Sequence, residues 1–374
     1  MTPAFRLLCA CCRWPDDDTR RNAIRAAAAE VEDWGEIPPL ADRHRVEPLV
    51  AHGLAAAGLP VPAALEAAVF HHRAVSLRDI GETLRIAAAL DHAGIVHCFL
   101  KGAPLGVRAY GNPLLKRSWD IDLLVLPADV VRAAAVLATL GSTPRLPPRP
   151  LDDEEFARWS VVSKEAEFSL PRGGTLELHW RVSDHSMLLP AVDASLAGHR
   201  ETLFGDHSVA TLNDAANLAY LAVHGTIHAW SRLKWIADFN AFNRWRSTVS
   251  RESLQQDARS FGVGRALDCA LLLASRLFDE NPILGALPNR AAAKLAVTSI
   301  RALTCADPRR IDRLASRARW SVIPGAAARL IELRTRLRGS HDRLEFPLPS
   351  RWQFAYPLLR LPFFAFRVIM GRSA

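Results

Sequence analysis

The chain has 374 residues, 49% of them hydrophobic, and a formal charge of +8, which is apolar content for one large core or for two to three smaller ones. No run is apolar for long enough to span a bilayer, and residues 1–14 lack the basic start and small-residue cleavage site of a signal peptide, so a soluble, cytoplasmic protein with no membrane span is expected. Six cysteines, three of them at Cys9, Cys11 and Cys12, have neither the density of a disulfide scaffold nor a second ligand pair for zinc nearby; they read as reduced core thiols.

In chain order, residues 1 to about 90 show apolar positions at three and four spacing, punctuated by Gly and Pro, and predict helices. From Ile95 the period changes. "IVHCFLK" and "DIDLLVL" predict short strands, "VRAAAVLATLG" a helix closed by glycine, and "EAEFSL" with "TLELHWRV" a hairpin around Pro171, Arg172, Gly173 and Gly174. Beyond about Thr211 a second helical region runs to the C-terminus. The expected organisation is an N-terminal helical region (1–90), a small mixed α/β core (91–205) and a C-terminal helical region (206–374), without internal repeats.

Lysine occurs only at positions 101, 116, 164, 234 and 294, against 47 Lys and Arg in all. With so many alanines, this bias reads as a GC-rich coding background, and bulk arginine is weak evidence for a nucleic-acid partner, which is not favoured. The stretch 301–343 is dense in arginine at helical spacing. It suits either a phosphate-binding surface or an ordinary solvated helix face.

Two acids interrupt the apolar run "WDIDLLVL". Residues two apart on a strand face the same side about 7 Å apart, so Asp120 and Asp122 project together while Ile121 and Leu123 face the packed side. Adjacent buried carboxylates repel and resist desolvation, and a hard divalent cation is the usual remedy; the alternative is an edge strand whose aspartates meet water. Glu177, in "TLELHW", shares a face with His179 and is the candidate third acid. Upstream, a strand ending in Lys101 and Gly102 runs at once into a helical pattern from Pro104 to Tyr110. That arrangement offers backbone N–H groups and a positive helix end to an anion, and glycine permits its close approach. Two of the five lysines, Lys101 and Lys116, fall in this stretch.

"LKGAPLGVRAYGNPLLKRSWDIDLLV", then "LELHW", then "HGTIHAWSRLKWIAD" resemble, in the same order and over most of the chain, the bacterial uncharacterised nucleotidyltransferase family, a branch of the polymerase-beta-type nucleotidyltransferase superfamily. The resemblance implies an α+β fold, a small mixed β-sheet nucleotidyltransferase core flanked by N-terminal and C-terminal helical regions. It implies a glycine turn that holds the triphosphate at Gly102, metal-binding and catalytic acids at Asp120, Asp122 and Glu177, and an orienting or acceptor-contacting role for His179. The superfamily turn commonly pairs glycine with serine; here Ala103 follows Gly102, which leaves Lys101 or Arg117 to replace the lost hydroxyl. Mg²⁺ or Mn²⁺ is the implied cofactor, with an NTP such as ATP as substrate.

His224 and His228 lie one turn apart on one helix face. Gly225 stands where a zinc protease of the HExxH type carries its glutamate, so that reading fails. Either the two histidines are interior and packed with Trp230 and Trp235, or, as the resemblance implies, they line the nucleotide cleft with Arg232, Lys234 and Asp238.

Two functions of different class follow. The first is Mg²⁺-dependent transfer of a nucleoside monophosphate from an NTP to a hydroxyl or phosphate acceptor on a peptide, protein, sugar or small molecule. Family members often occur near genes for ribosomally made peptides or exopolysaccharide, which implies a peptide, sugar or carrier acceptor. The second is a catalytically inactive scaffold that binds a peptide or nucleic acid, supported by the missing turn serine. In the C-terminal "RWQFAYPLLRLPFFAFRVIMGR", Pro357 and Pro362 interrupt any long amphipathic helix, so packing against the body of the protein is expected rather than attachment to a membrane surface.

Overall fold

The computed structural model describes residues 1–160, 163–185, 187–244, 250–278, 289–323 and 325–338, with 348, 350–356, 358–359, 362–363 and 366. Its strands, numbered along the chain, are β1 (His97–Phe99), β2 (Asp120–Val125), β3 (Thr143–Leu146), β4 (Glu165–Ser169), β5 (Thr175–His179), β6 (His199–Phe204) and β7 (His207–Thr211). They form one mixed sheet in the order β3-β4-β5-β2-β1-β7-β6. β2, the middle strand, pairs antiparallel with β1 and parallel with β5.

Alternation along β2 divides the molecule. Ile121, Leu123 and Val125 pack with Leu176 and Leu178 of β5 and with Ile80, Ile86 and Leu90 of the long helix Ala63–His92. Asp120, Asp122 and Leu124 take the opposite face, under a larger helical layer in which Leu124 is buried. That layer draws on both ends of the chain. Leu7 and Leu8 of the helix Pro3–Cys12 share a core with Leu218 of Asp214–Ile227, Phe239 of Leu233–Arg244, Leu267 of Gly264–Phe278 and Leu314 of Pro308–Val322. Helices from both ends of the chain, other than most of Ala63–His92, thus share one layer over the acid-bearing face of the sheet.

The β4–β5 hairpin turns through Gly173 and Gly174, both at positive φ, as the sequence predicts. β3, β6 and β7 and the helix Asp153–Ser160 are additions to that reading. β7 pairs with β1 through Phe99 and Thr211, so the sheet continues past the expected limit at residue 205. β3 and β6 are the two edges of the sheet, and β3 carries Pro144, which an edge tolerates. All six cysteines are free, and only Cys305 is not buried; burial pushes Cys11, Cys98 and Cys269 up to about 12, as core thiols. No described helix is long and apolar enough to cross a membrane. Much of 350–374 lies outside the described residues; among the rest, Tyr356 is buried while Trp352, Phe354 and Leu358 are exposed.

Candidate functional site

The backbone N–H of Leu100 donates to the carbonyl of Asp122 (3.1 Å), so the chain leaving β1 passes directly beside the acid pair. Gly102 there has φ +66°, a conformation open to glycine at little cost, and it starts the helix Gly102–Tyr110, whose first turn has no side-chain cap. The turn delivers Lys101 with Nζ 2.8 Å from Asp122 Oδ1. On the other side, the parallel register sets Asp122 against Glu177 and Leu124 against His179. A third acid therefore reaches the pair by strand pairing alone, from 55 positions downstream.

His179, 2% exposed, is the hub. Its Nε2 lies 3.2 Å from Glu177 Oε2 and 3.3 Å from Asp122 Oδ1, and its Nδ1 lies 3.1 Å from Glu165 Oε2 on β4. Glu165 in turn pairs with Lys164. Ligand atoms of Asp122, Glu177 and His179 fall within 4.8 Å of one another. Asp120 is outside this group, so the tightest cluster takes His179 where the sequence suggests Asp120. Both carboxylate oxygens of Asp122 and both ring nitrogens of His179 are buried without a hydrogen bond of good geometry, although Asp122 Oδ1 and the two ring nitrogens lie at ion-pair distance from their neighbours. Buried polar atoms left so are exceptional, and this set of donors fits a divalent cation.

The charges are tuned by burial against pairing. Burial raises the Asp122 carboxyl, but Lys101 and His179 together bring it below the usual carboxylate range. Burial also raises Glu177, outweighed by its contact with His179, and the net shift is downward. Asp120 is held up to about 6, by burial first and then by Asp122. On His179 burial and Lys164 act downward, while Asp122, Glu165 and Glu177 together carry it above its ordinary value.

These groups form one wall of a cavity of about 360 Å³. Four of the five lysines in the chain, Lys101, Lys116, Lys164 and Lys234, line it. In a chain that otherwise uses arginine, lysine has been kept where a compact cation faces the acids. Three of the four are paired, Lys101 with Asp122, Lys164 with Glu165 and Lys116 with Asp238. Lys234 has no ion-pair partner among the described residues, and burial, with Lys116 and Lys101 nearby, lowers it to about 7.

Another part of the lining is aromatic. Tyr220, His224, His228 and Trp235 line the cavity, with His228 stacked on Trp235 at 5.1 Å between ring centres. Burial drives both histidines far down, His228 to about 3, so both imidazoles are neutral. They are packed with Trp235 and face the cleft at once. Trp230 instead lies against Gly225, where an added Cβ would come within 2.3 Å of its ring, and close approach of that indole is the physical reason for glycine in "HGTIH".

Three expected nucleotide contacts lie elsewhere. Arg117 is buried, pairs with Asp42 and Glu47 of the N-terminal helices and lies outside the cavity lining. Asp238 accepts from Tyr110 (2.9 Å) and pairs with Lys116 (2.6 Å) behind the cavity wall. Arg232 lies near the Trp235 ring, at 5.9 Å, and outside the cavity lining. The turn does have a hydroxyl beside it: Ser118 Oγ is 3.9 Å from where a Gly102 Cβ would stand. Ser118 and Lys101 line both the main cavity and a smaller one of about 20 Å³ that Gly102 and Ala103 also line. Sequence reasoning also missed Glu165, Lys164 and Arg45. Arg45 lines the cavity in a left-handed conformation, φ 57°, rare enough in a non-glycine residue to mark a site. Of the arginine-dense stretch, Arg319 reaches the cavity.

A model of the family described as "Uncharacterised nucleotidyltransferase" matches residues 30–279. That span holds every residue of the acid cluster and all four cavity lysines, and excludes Arg319. No curated protein matches the chain.

Proposed function

The chain belongs to the uncharacterised nucleotidyltransferase family, and on that basis we propose that it transfers a nucleoside monophosphate from an NTP to a hydroxyl or phosphate acceptor with the help of a divalent cation. The observation that carries this reading is the pairing of Asp122 with Glu177 directly beside the Lys101–Gly102 turn, inside a lysine-lined cavity.

Asp122 and Glu177 would hold the cation, with Asp120 beside them. Such an ion neutralises a triphosphate and stabilises the charge that develops on the attacking and leaving oxygens. The triphosphate meets Lys234, whose charge has no ion-pair partner among the described residues, the uncapped N–H groups of the helix Gly102–Tyr110 and the hydroxyl of Ser118. Asp120, held near 6, is matched to accept a proton from an acceptor hydroxyl at neutral pH. Pyrophosphate leaves as the new bond forms, a phosphoester with a hydroxyl acceptor and a phosphoanhydride with a phosphate acceptor. The stacked rings of His228 and Trp235, with the neutral imidazole of His224 edge-on beside them, offer an aromatic surface to the base.

Ser118 beside the turn weakens the case for an inactive scaffold, which rested on the absent serine. The test is incubation with each labelled NTP, Mg²⁺ or Mn²⁺, and candidate peptides, sugars or a lysate, reading pyrophosphate release and label transfer. Tight NTP binding with no transfer to any acceptor supports the scaffold instead.

A further inference from the structure

We propose that His179 is itself a ligand of the divalent cation through Nε2, with Glu165 holding the ring, and that the site therefore prefers a first-row transition-metal ion such as Mn²⁺ to Mg²⁺. This rests on the reading that Asp122 and Glu177 hold a cation.

The geometry distinguishes the two ring nitrogens. Nε2 faces Asp122 and Glu177 together, at 3.3 and 3.2 Å, while Nδ1 faces Glu165 at 3.1 Å. A carboxylate behind a histidine fixes its tautomer, here Nδ1–H toward Glu165, so that a cation that replaces the Nε2 proton between Asp122 and Glu177 meets the Nε2 lone pair; carboxylate, imidazole and metal in line is the usual arrangement around a ligating histidine. His179 sits 2% exposed on β5, two residues after Glu177 and on the same face. A strand with an acid alone in that position would serve an oxygen-only site; the imidazole adds nitrogen.

Mg²⁺ takes oxygen ligands and keeps much of its water, whereas imidazole suits the later divalent metals and Mn²⁺ accepts a mixed set. Without an ion, Lys101 neutralises Asp122 at 2.8 Å. A cation held by Asp122 would take over that neutralisation and free the Lys101 ammonium for phosphate.

The experiment is titration of the full-length protein with Mn²⁺, with and without NTP, followed by electron paramagnetic resonance and by electron spin-echo modulation on protein grown with ¹⁵N-histidine. Directly bound ¹⁴N should modulate the echo and change to the ¹⁵N pattern on labelling, with no substitution needed. Mn²⁺ should stay bound against about a tenfold excess of Mg²⁺, and Glu165→Gln should weaken Mn²⁺ affinity by roughly 10-fold or more, the usual effect of removing such an outer partner. If Mn²⁺ binds, is lost in Asp122→Asn, and shows neither nitrogen coupling nor preference over Mg²⁺, His179 is not a ligand although the acids hold an ion. If no Mn²⁺ binds in any condition, the cation reading falls, and this inference with it.

Discussion

Asp122 and Glu177 are direct partners across the parallel pair β2 and β5, and His179 lies within 3.3 Å of both. Two carboxylates held this close in a buried site need a counter-charge in every state. Lys101 and His179 provide it in the protein alone, and on the proposed function a cation would replace them when NTP arrives. Substitution to Asn at both Asp120 and Asp122 should therefore abolish the part of NTP affinity that depends on Mg²⁺ or Mn²⁺, measured by calorimetry. Unchanged affinity and unchanged metal dependence would detach the acid pair from the nucleotide.

Lys234 gives a pH signature. Its ammonium is lowered to about 7 by burial and by Lys116 and Lys101. A polyphosphate placed beside it favours the charged form and raises that value, so above pH 7 NTP binding must take up a proton, and affinity should fall as pH rises from 7 toward 9. Calorimetry in two buffers of different ionisation enthalpy reads the proton directly. Lys234→Arg keeps the charge at all these pH values and should flatten the profile. Buffer-independent heats in the parent protein would take Lys234 away from the phosphates.

Much of this site was legible because it is local. The run from Lys101 to Asp122 combines strand, glycine, helix and a D-x-D within 22 positions, and each signal is a short-range one. Glu177 was legible through alternation with Leu176 and Leu178. What the sequence hid depends on pairing between distant segments. Glu165 reaches His179 only through the antiparallel register of β4 and β5, and Ser118 reaches the turn only because β1 and β2 lie side by side. Arg117 lies outside the cavity that its sequence neighbours Lys116 and Ser118 line, because its partners, Asp42 and Glu47, come from distant helices. The edge strands β3 and β6 escaped notice because their alternation is weak and largely exposed.

Two glycines in helices should respond in opposite directions. At Gly225 an added methyl would lie 2.3 to 2.4 Å from three atoms of the Trp230 ring, a ring that is 1% exposed and has nowhere to move. Gly225→Ala should destabilise by about 1–3 kcal/mol or more through overpacking. At Gly81, inside the helix Ala63–His92, nothing lies within 4 Å of the same methyl, and Gly81→Ala should stabilise by roughly 0.5–1 kcal/mol through helix propensity. Thermal or urea unfolding ranks the two variants against the parent; a neutral Gly225→Ala would mean that Trp230 does not pack on this helix.

Arg117 separates tethering from nucleotide binding. Its guanidinium is buried and pairs with Glu47, which is 1% exposed, and with Asp42 at 2.8 Å. Its ring contact is with Trp119, at 4.8 Å. Removing one partner of a buried pair strands the other charge, so Arg117→Met alone should cost about 3–5 kcal/mol, softened by His72, whose Nε2 is 3.2 Å from Glu47. Replacing both, Arg117→Met with Glu47→Leu, removes the stranded charge and should restore most of that loss, since buried pairs exchanged for apolar groups of similar size are often near neutral. Denaturant unfolding of the two single variants and the double variant closes the cycle. Because Arg117 does not line the cavity, the folded double variant should bind NTP within about twofold of the parent, a ratio worth less than 1 kcal/mol. A stable double variant that has lost NTP affinity would return Arg117 to the triphosphate, in the place of the serine missing after Gly102.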